Sequence, residues 1–180
     1  MKELSLHILD LVQNSLVAGA RQVEVRVLED LTNNLFSITV KDNGCGMTPA
    51  QSQAALDPFV TSRTSRKVGL GLPLFKAAAE QAGGGLEIHS TLGVGTTVQV
   101  KFQHDHLDRV PLGDMAETLV GIMALNEPCH VLYQHSKMDR EFRLDSEEIK
   151  GILGEVPLSH PEVVAWLGQY IKENEKLLEV

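Results

Sequence analysis

Aromatic side chains are scarce in this sequence, at 4% of residues, and there are only two cysteines, Cys45 and Cys129. Two cysteines build neither a disulfide framework nor a metal quartet. Long apolar runs are missing too: none approaches the roughly 20 residues that cross a bilayer. The opening segment, "MKELSLHILDLVQNSL", breaks its apolar pattern with Glu3, His7, Asp10 and Asn14, which a signal peptide does not do. Basic residues are in deficit, 16 against 24 acidic ones, for a net charge of −8. Non-specific nucleic-acid or anionic-membrane binding needs a basic footprint, so neither partner is expected. These absences point to a soluble cytoplasmic protein. What is present is 180 residues of 43% hydrophobic content, enough for one substantial core or a domain with an appendage.

Apolar periodicity divides the chain. Leu4, Ile8, Leu11, Val12 and Ser15 recur at helical spacing over about residues 3–18, and Gly19 supplies a stop. Val23, Val25 and Val27 alternate with polar residues in "RQVEVRVLED", a half-buried strand. "TNN" is a turn, and "LFSITVKD" completes a hairpin. Thr48 as cap and Pro49 at the first helical position predict a short helix in "TPAQSQAAL". "DPFVTSRTSRKVGLGL" has no period and reads as a loop. "LPLFKAAAEQAGGG" reads as a helix, with Pro73 near its start and glycines at its end. "LEIHS" and "TTVQVKF" are two more strands.

Residues 1 to about 103 thus form an α+β fold, a two-layer α/β sandwich with helices on one face of a mainly antiparallel sheet. "HDHLDRVP" marks a boundary. Residues 104–180 read as a helix, a hairpin around "SKMD" and two helices, a small α+β extension expected to pack on the first domain. Asp145 with Glu148, and Ser159 with Glu162, have capping-box spacing on those last two helices.

Several clusters carry chemistry. Asp10 and Asn14 lie one turn apart on one helix face: either a solvated polar face or a pair suited to Mg²⁺ and a water. "GLGLPLFK" lacks the spacing of the Walker loop and of the dinucleotide fingerprint. Its glycines open a helix, either as an ordinary junction or as an anion site built on backbone N–H groups. "DNGCGM" lacks the alternating acidic ligands of a calcium loop, and the Cys45 thiol reads as a small filler rather than a reagent. His104, His106, His130 and His135 invite a zinc reading, but no second pair completes a set, and surface histidines are expected. Trp166 and Tyr170, four apart on the last helix, read as packing.

Taken in order, "DLVQNSLVAGA", "DNGCGM", "GLGL" and "GVGTT" resemble the motif series of the GHKL ATP-binding family: histidine kinases, the large heat-shock chaperone, type II topoisomerase ATPase subunits and MutL mismatch-repair proteins. The resemblance covers residues 1 to about 103 and implies a Bergerat-type fold that binds ATP and Mg²⁺. It implies that Asp42 accepts a hydrogen bond from the adenine amino group, that Gly44 and Gly46 let the backbone approach the ring, that Met47 packs on the adenine face, and that Thr96 joins Asp42 and a water there. Asn43 is open between an unusual turn conformation and a phosphate contact. By the same resemblance Asn14 holds Mg²⁺, and Gly69 and Gly71, with Leu70 and Leu72 of the same motif, belong to a phosphate-cradling lid. That lid runs from about residue 57 to 68, with Phe59 as its aromatic anchor and Arg63, Arg66 and Lys67 as phosphate contacts.

Two departures qualify the match. The ATPase branches of the family carry a glutamate where this chain has Asp10, one methylene shorter, and a base must come within about 2.6–3.2 Å of its proton, directly or through one water. His7 has no phosphoacceptor context, and no dimerisation helix is recognised ahead of the first helix, so phosphate transfer is expected in trans to a partner protein. The alternative is a conformational switch or slow ATPase, with room for a homodimer.

Overall fold

A computed structural model describes residues 3–61 and 71–179, without the side chains of residues 60 and 61. Helix α1 (Leu4–Val17) leads into the hairpin β1 (Gln22–Asp30) and β2 (Leu35–Asp42). Then follow α2 (Pro49–Ala55), a short helical turn α3 (Pro58–Thr61), α4 (Gly71–Gln81), β3 (Gly85–Thr91) and β4 (Gly95–Gln103). Beyond these come α5 (Met115–Leu125), the hairpin β5 (His130–Lys137) and β6 (Arg140–Asp145), α6 (Ser146–Leu153) and α7 (Pro161–Glu179). Residues 58–61 were expected as loop. Pro58 at a helix start, where its missing N–H is not needed, accounts for the difference.

One six-stranded sheet, ordered β3-β4-β2-β1-β5-β6, joins both parts of the chain. Every neighbouring pair is antiparallel except β1 with β5, which run parallel from Gln22 opposite His130 to Glu29 opposite Lys137. The strands beyond residue 103 therefore extend the first sheet instead of starting a second. Val23, Val25 and Val27 of β1 are buried on the helical face beside Val131, Tyr133 and His135 of β5. Arg26, Leu28, Lys41 and Lys101 are exposed. Alternation in the sequence becomes one wet and one dry face because strand side chains point to opposite sides in turn.

Leu4, Ile8, Leu11 and Val12 of α1, Phe75 and Ala79 of α4, and Leu119 and Met123 of α5 close the core. Each such large aliphatic or aromatic burial stabilises by roughly 1.5–3 kcal/mol. Thr48 caps α2 with a reciprocal pair: its hydroxyl accepts the Gln51 N–H, and the Gln51 side chain accepts the Thr48 N–H. Asp145 caps α6 by accepting the Glu147 N–H. At α7 the cap lies one residue beyond Ser159: His160 Nδ1 accepts the Glu162 N–H at 3.3 Å, ahead of Pro161.

Candidate functional site

The strand-end carboxylate of Asp42 is held from three directions. Ser15 Oγ donates to its Oδ2 at 2.6 Å, while the N–H groups of Gly44 and Thr96 donate to its Oδ1 at 2.8 and 3.3 Å. Ser15 is 3% exposed on the inner face of α1, so the helix positions the carboxylate directly. An ionised carboxylate has about four acceptor positions, and this one uses three on its own fold. A fourth is left for an incoming N–H. Alongside, Ser90 Oγ accepts the Met47 N–H at 2.8 Å and lies 2.8 Å from Thr96 Oγ1. A cleft of about 970 Å³, the scale of a small-ligand site, opens here between Asp42, Ser90 and Thr96 on the sheet and Ser52 of α2 with Leu56 just after it.

The glycines act first on the protein itself. Gly46 has φ +70°, and a Cβ there would sit 2.0 Å from the Thr91 carbonyl oxygen. Gly95 would put one 2.1 Å from the main-chain carbonyl oxygen of Asp42. The turn after β2 thus lies flat on the turn between β3 and β4, and Gly93 N–H donates to the Cys45 carbonyl across them. A Cβ at Gly44 would lie 2.9 Å from the Ala18 Cβ. Asn43 turns out to be structural: its Oδ1 accepts the N–H groups of Arg21 and Gln22 at 2.8 and 2.9 Å, tying the start of β1 to the end of β2. Cys45 is exposed with a free thiol.

Asp10 and Asn14 occupy adjacent turns of α1, both half-buried, and Ser15 directly follows Asn14. The first residue of α4, Gly71, abuts Asp10: a Cβ at Gly71 would lie 3.4 Å from Asp10 Oδ2. Burial pushes the Asp10 carboxyl above its ordinary pKa. Asn14's carboxamide makes no hydrogen bond to the described residues, so an amide oxygen one turn from a carboxylate is available to a hard cation. The lining of the 970 Å³ cleft includes Asp42 and Thr96 but not Asp10, Asn14 or Gly71. The two groups are linked through Ser15. Leu72 is 7% exposed and belongs to the core. Phe59 is 83% exposed, its N–H donating to Asp57 Oδ1 at 2.8 Å. Arg63, Arg66, Lys67, Gly69 and Leu70 lie outside the described residues.

Three of the four histidines, His104, His130 and His135, sit against carboxylates instead of at the open surface positions expected. His135 is 4% exposed, with Nε2 2.9 Å from Glu29 and Nδ1 2.8 Å from Glu175. His104 meets Glu29 at 2.7 Å, and His130 meets Asp145 at 2.8 Å. Burial opposes charge on His135, yet the two carboxylates raise its pKa to about 9. Glu29, also opposed by burial, is held down to about 2 by His135 and His104. Among the described residues, no three His, Cys, Asp or Glu side chains form a metal set. His7 stacks on Phe75 at 4.6 Å, its Nδ1 buried without a hydrogen-bond partner among the described residues, and burial lowers its pKa to about 4.

Ser15 and Ser90 were not singled out as site residues. A serine continuing the stripe Leu4, Ile8 and Leu11 was the available signal, since a buried hydroxyl needs a partner. Ser90 carried no such signal.

With fold and site described, comparison with known proteins identifies the class. The family described as "Histidine kinase-, DNA gyrase B-, and HSP90-like ATPase" matches residues 2–106, and the chain belongs to it. Histidine protein kinase DivJ of Caulobacter vibrioides is 35% identical over 98 residues, covering 52% of this chain and 16% of that kinase. A sensor-like histidine kinase of Rhizobium meliloti is 33% identical over 103 residues, 54% of this chain and 20% of that protein. These matches thus span a fifth or less of either kinase. The Aquifex aeolicus MutL ATPase domain complexed with ADP shares the fold, with a TM-score of 0.53 at 21% identity over 85% of this chain and 69% of that one. This is the Bergerat fold of GHKL ATPase domains. Among the described residues, no helix is long and apolar enough to cross a membrane.

Proposed function

We propose that this chain is a cytoplasmic regulatory protein that binds Mg-ATP and transfers the γ-phosphoryl group in trans to a partner protein. The observation that carries the reading is the Asp42 carboxylate, fixed by Ser15, Gly44 and Thr96 with one acceptor position left over. An adenine amino group is a donor of matching polarity, and Ser90 and Thr96 supply hydroxyls beside it. Asn14 would hold Mg²⁺, which neutralises phosphate charge when bound. The α4 N-terminus at Gly71 presents backbone N–H groups to phosphate oxygens. The kinase relatives support transfer over simple hydrolysis.

A second reading, a slow ATPase or ATP-driven switch, is favoured by Asp10. Its raised carboxyl pKa moves a base toward the working pH, and it sits against the start of α4. One experiment separates the two. Purified protein is incubated with γ-labelled ATP and Mg²⁺ over a single turnover, and label is followed as bound ATP, free phosphate and protein-bound phosphate. Label held as ATP until a partner is added supports transfer in trans, whereas prompt free phosphate supports the ATPase. Label that stays as unbound ATP throughout overturns both.

A further inference from the structure

Eight aromatic residues serve the whole chain, yet two of them stack on its surface. Trp166 and Tyr170 lie face to face on α7 at 5.3 Å and 15°, and are 49% and 38% exposed. Tyr170 is in turn held edge-on by Phe142 of β6 at 5.9 Å, so the indole is fixed in place before any contact is made. The inward face of the same helix, Val163 and Leu167, is buried in the core, while about half of Trp166 is left to solvent.

In front of Trp166 the turn between α6 and α7 forms a groove of about 640 Å³, with an apolar floor of Leu153, Val156, Pro157 and Val163. Glu155 and Glu162 are its charged rim, His160 also lines it, and among the described residues no lysine or arginine does. A tryptophan held in place beside an apolar pocket, as Tyr170 holds Trp166 here, is the kind of anchor that dominates protein–protein binding energy. Net charge −8 keeps the acidic rim from being offset by the whole molecule.

We propose that this groove docks an apolar segment of another protein flanked by lysine or arginine. A second copy of this chain is the wrong occupant, because a two-fold contact would set Glu155 and Glu162 against the same acids. An anionic lipid surface is repelled by the same rim. The proposal is independent of whether phosphate is transferred, since it concerns a face built by β6, α6 and α7.

Trp166, the single tryptophan, is a built-in reporter. The probe is a tryptophan-free synthetic peptide with leucines at i, i+3, i+4 and i+7 and lysines elsewhere. Its control replaces every lysine by glutamate. With the full chain, the lysine peptide should bind saturably and shift Trp166 emission to the blue. Affinity should fall at least tenfold in Val156→Asn, which makes a side chain already 44% exposed polar without adding charge and spares the core. The double change Glu155→Lys, Glu162→Lys should reverse the preference toward the glutamate peptide. Binding that is unchanged in Val156→Asn, or that leaves Trp166 emission unmoved, overturns the proposal. So does equal binding of both peptides. Sedimentation showing a dimer that Val156→Asn dissolves would assign the groove to a second copy, and binding to phosphatidylserine vesicles would assign it to lipid; either also overturns it.

Discussion

Asp42→Asn is a change of one acceptor into a donor with almost no change of shape. Asparagine's oxygen can still receive the N–H groups of Gly44 and Thr96, and its NH₂ can face the Ser15 oxygen, so the fold should persist. The leftover acceptor position is lost. Titration calorimetry should find Mg-ATP affinity reduced by about 100-fold, the scale of a charged hydrogen bond, with an unchanged melting temperature. Unaltered affinity would refute the adenine role of Asp42. Asp10→Asn tests a different atom: turnover should drop at least tenfold while Mg-ATP affinity stays within about twofold. Loss of binding along with turnover would make Asp10 a metal-site residue instead. The places of Asp42 at the end of β2 and of Asp10 and Asn14 one turn apart on α1 were legible because residue types and spacing are local. The roles of Asn43 and Ser15 were not, because each is defined by a partner more than twenty residues away.

At the scale of elements, local chemistry was again the readable part. The Thr48 cap, Pro49 and the alternating valines of β1 all express short-range rules, and they landed as expected. The α7 cap moved to His160 because Ser159 donates its N–H to Glu127, a tertiary contact that no spacing rule contains. Contacts between turns are equally invisible in sequence. Gly46 and Gly93 look alike, with φ of +70° and +79°, but a Cβ at Gly93 would meet nothing within 4 Å while one at Gly46 would collide with Thr91. Gly93→Ala should therefore cost only the left-handed backbone penalty, about 1–2 kcal/mol. Gly46→Ala should cost on the order of 3 kcal/mol or more, through displacement of the turn that carries Met47. Urea unfolding of the two variants decides this, and equal losses would mean that the two turns do not press together.

For the whole molecule, two buried histidines define a stability profile. His135 has its folded pKa raised to about 9 from 6.5, so its contribution is complete below pH 6.5 and disappears as pH rises through 9. His7 has its folded pKa lowered to about 4, so stability falls as pH drops from 6.5 toward 4, where the unfolded chain takes up the proton first. Glu29 adds a further loss as pH falls from 4.5 through 2, sharing its energy with the same His135 pair. Urea melts across pH should peak near 6.5, with limbs on the order of 3 kcal/mol each. His135→Gln should flatten the alkaline limb and His7→Leu the acid one. The parallel pairing of β1 with β5 has a temporal consequence. As the chain leaves the ribosome, the β1–β2 hairpin and the strands up to β4 exist while the segment that will cover β1's other side is still being made. For that interval a strand carrying Val23, Val25 and Val27 offers a bare row of amides and carbonyls to any passing nascent chain, and the last third of the protein acts as its guard.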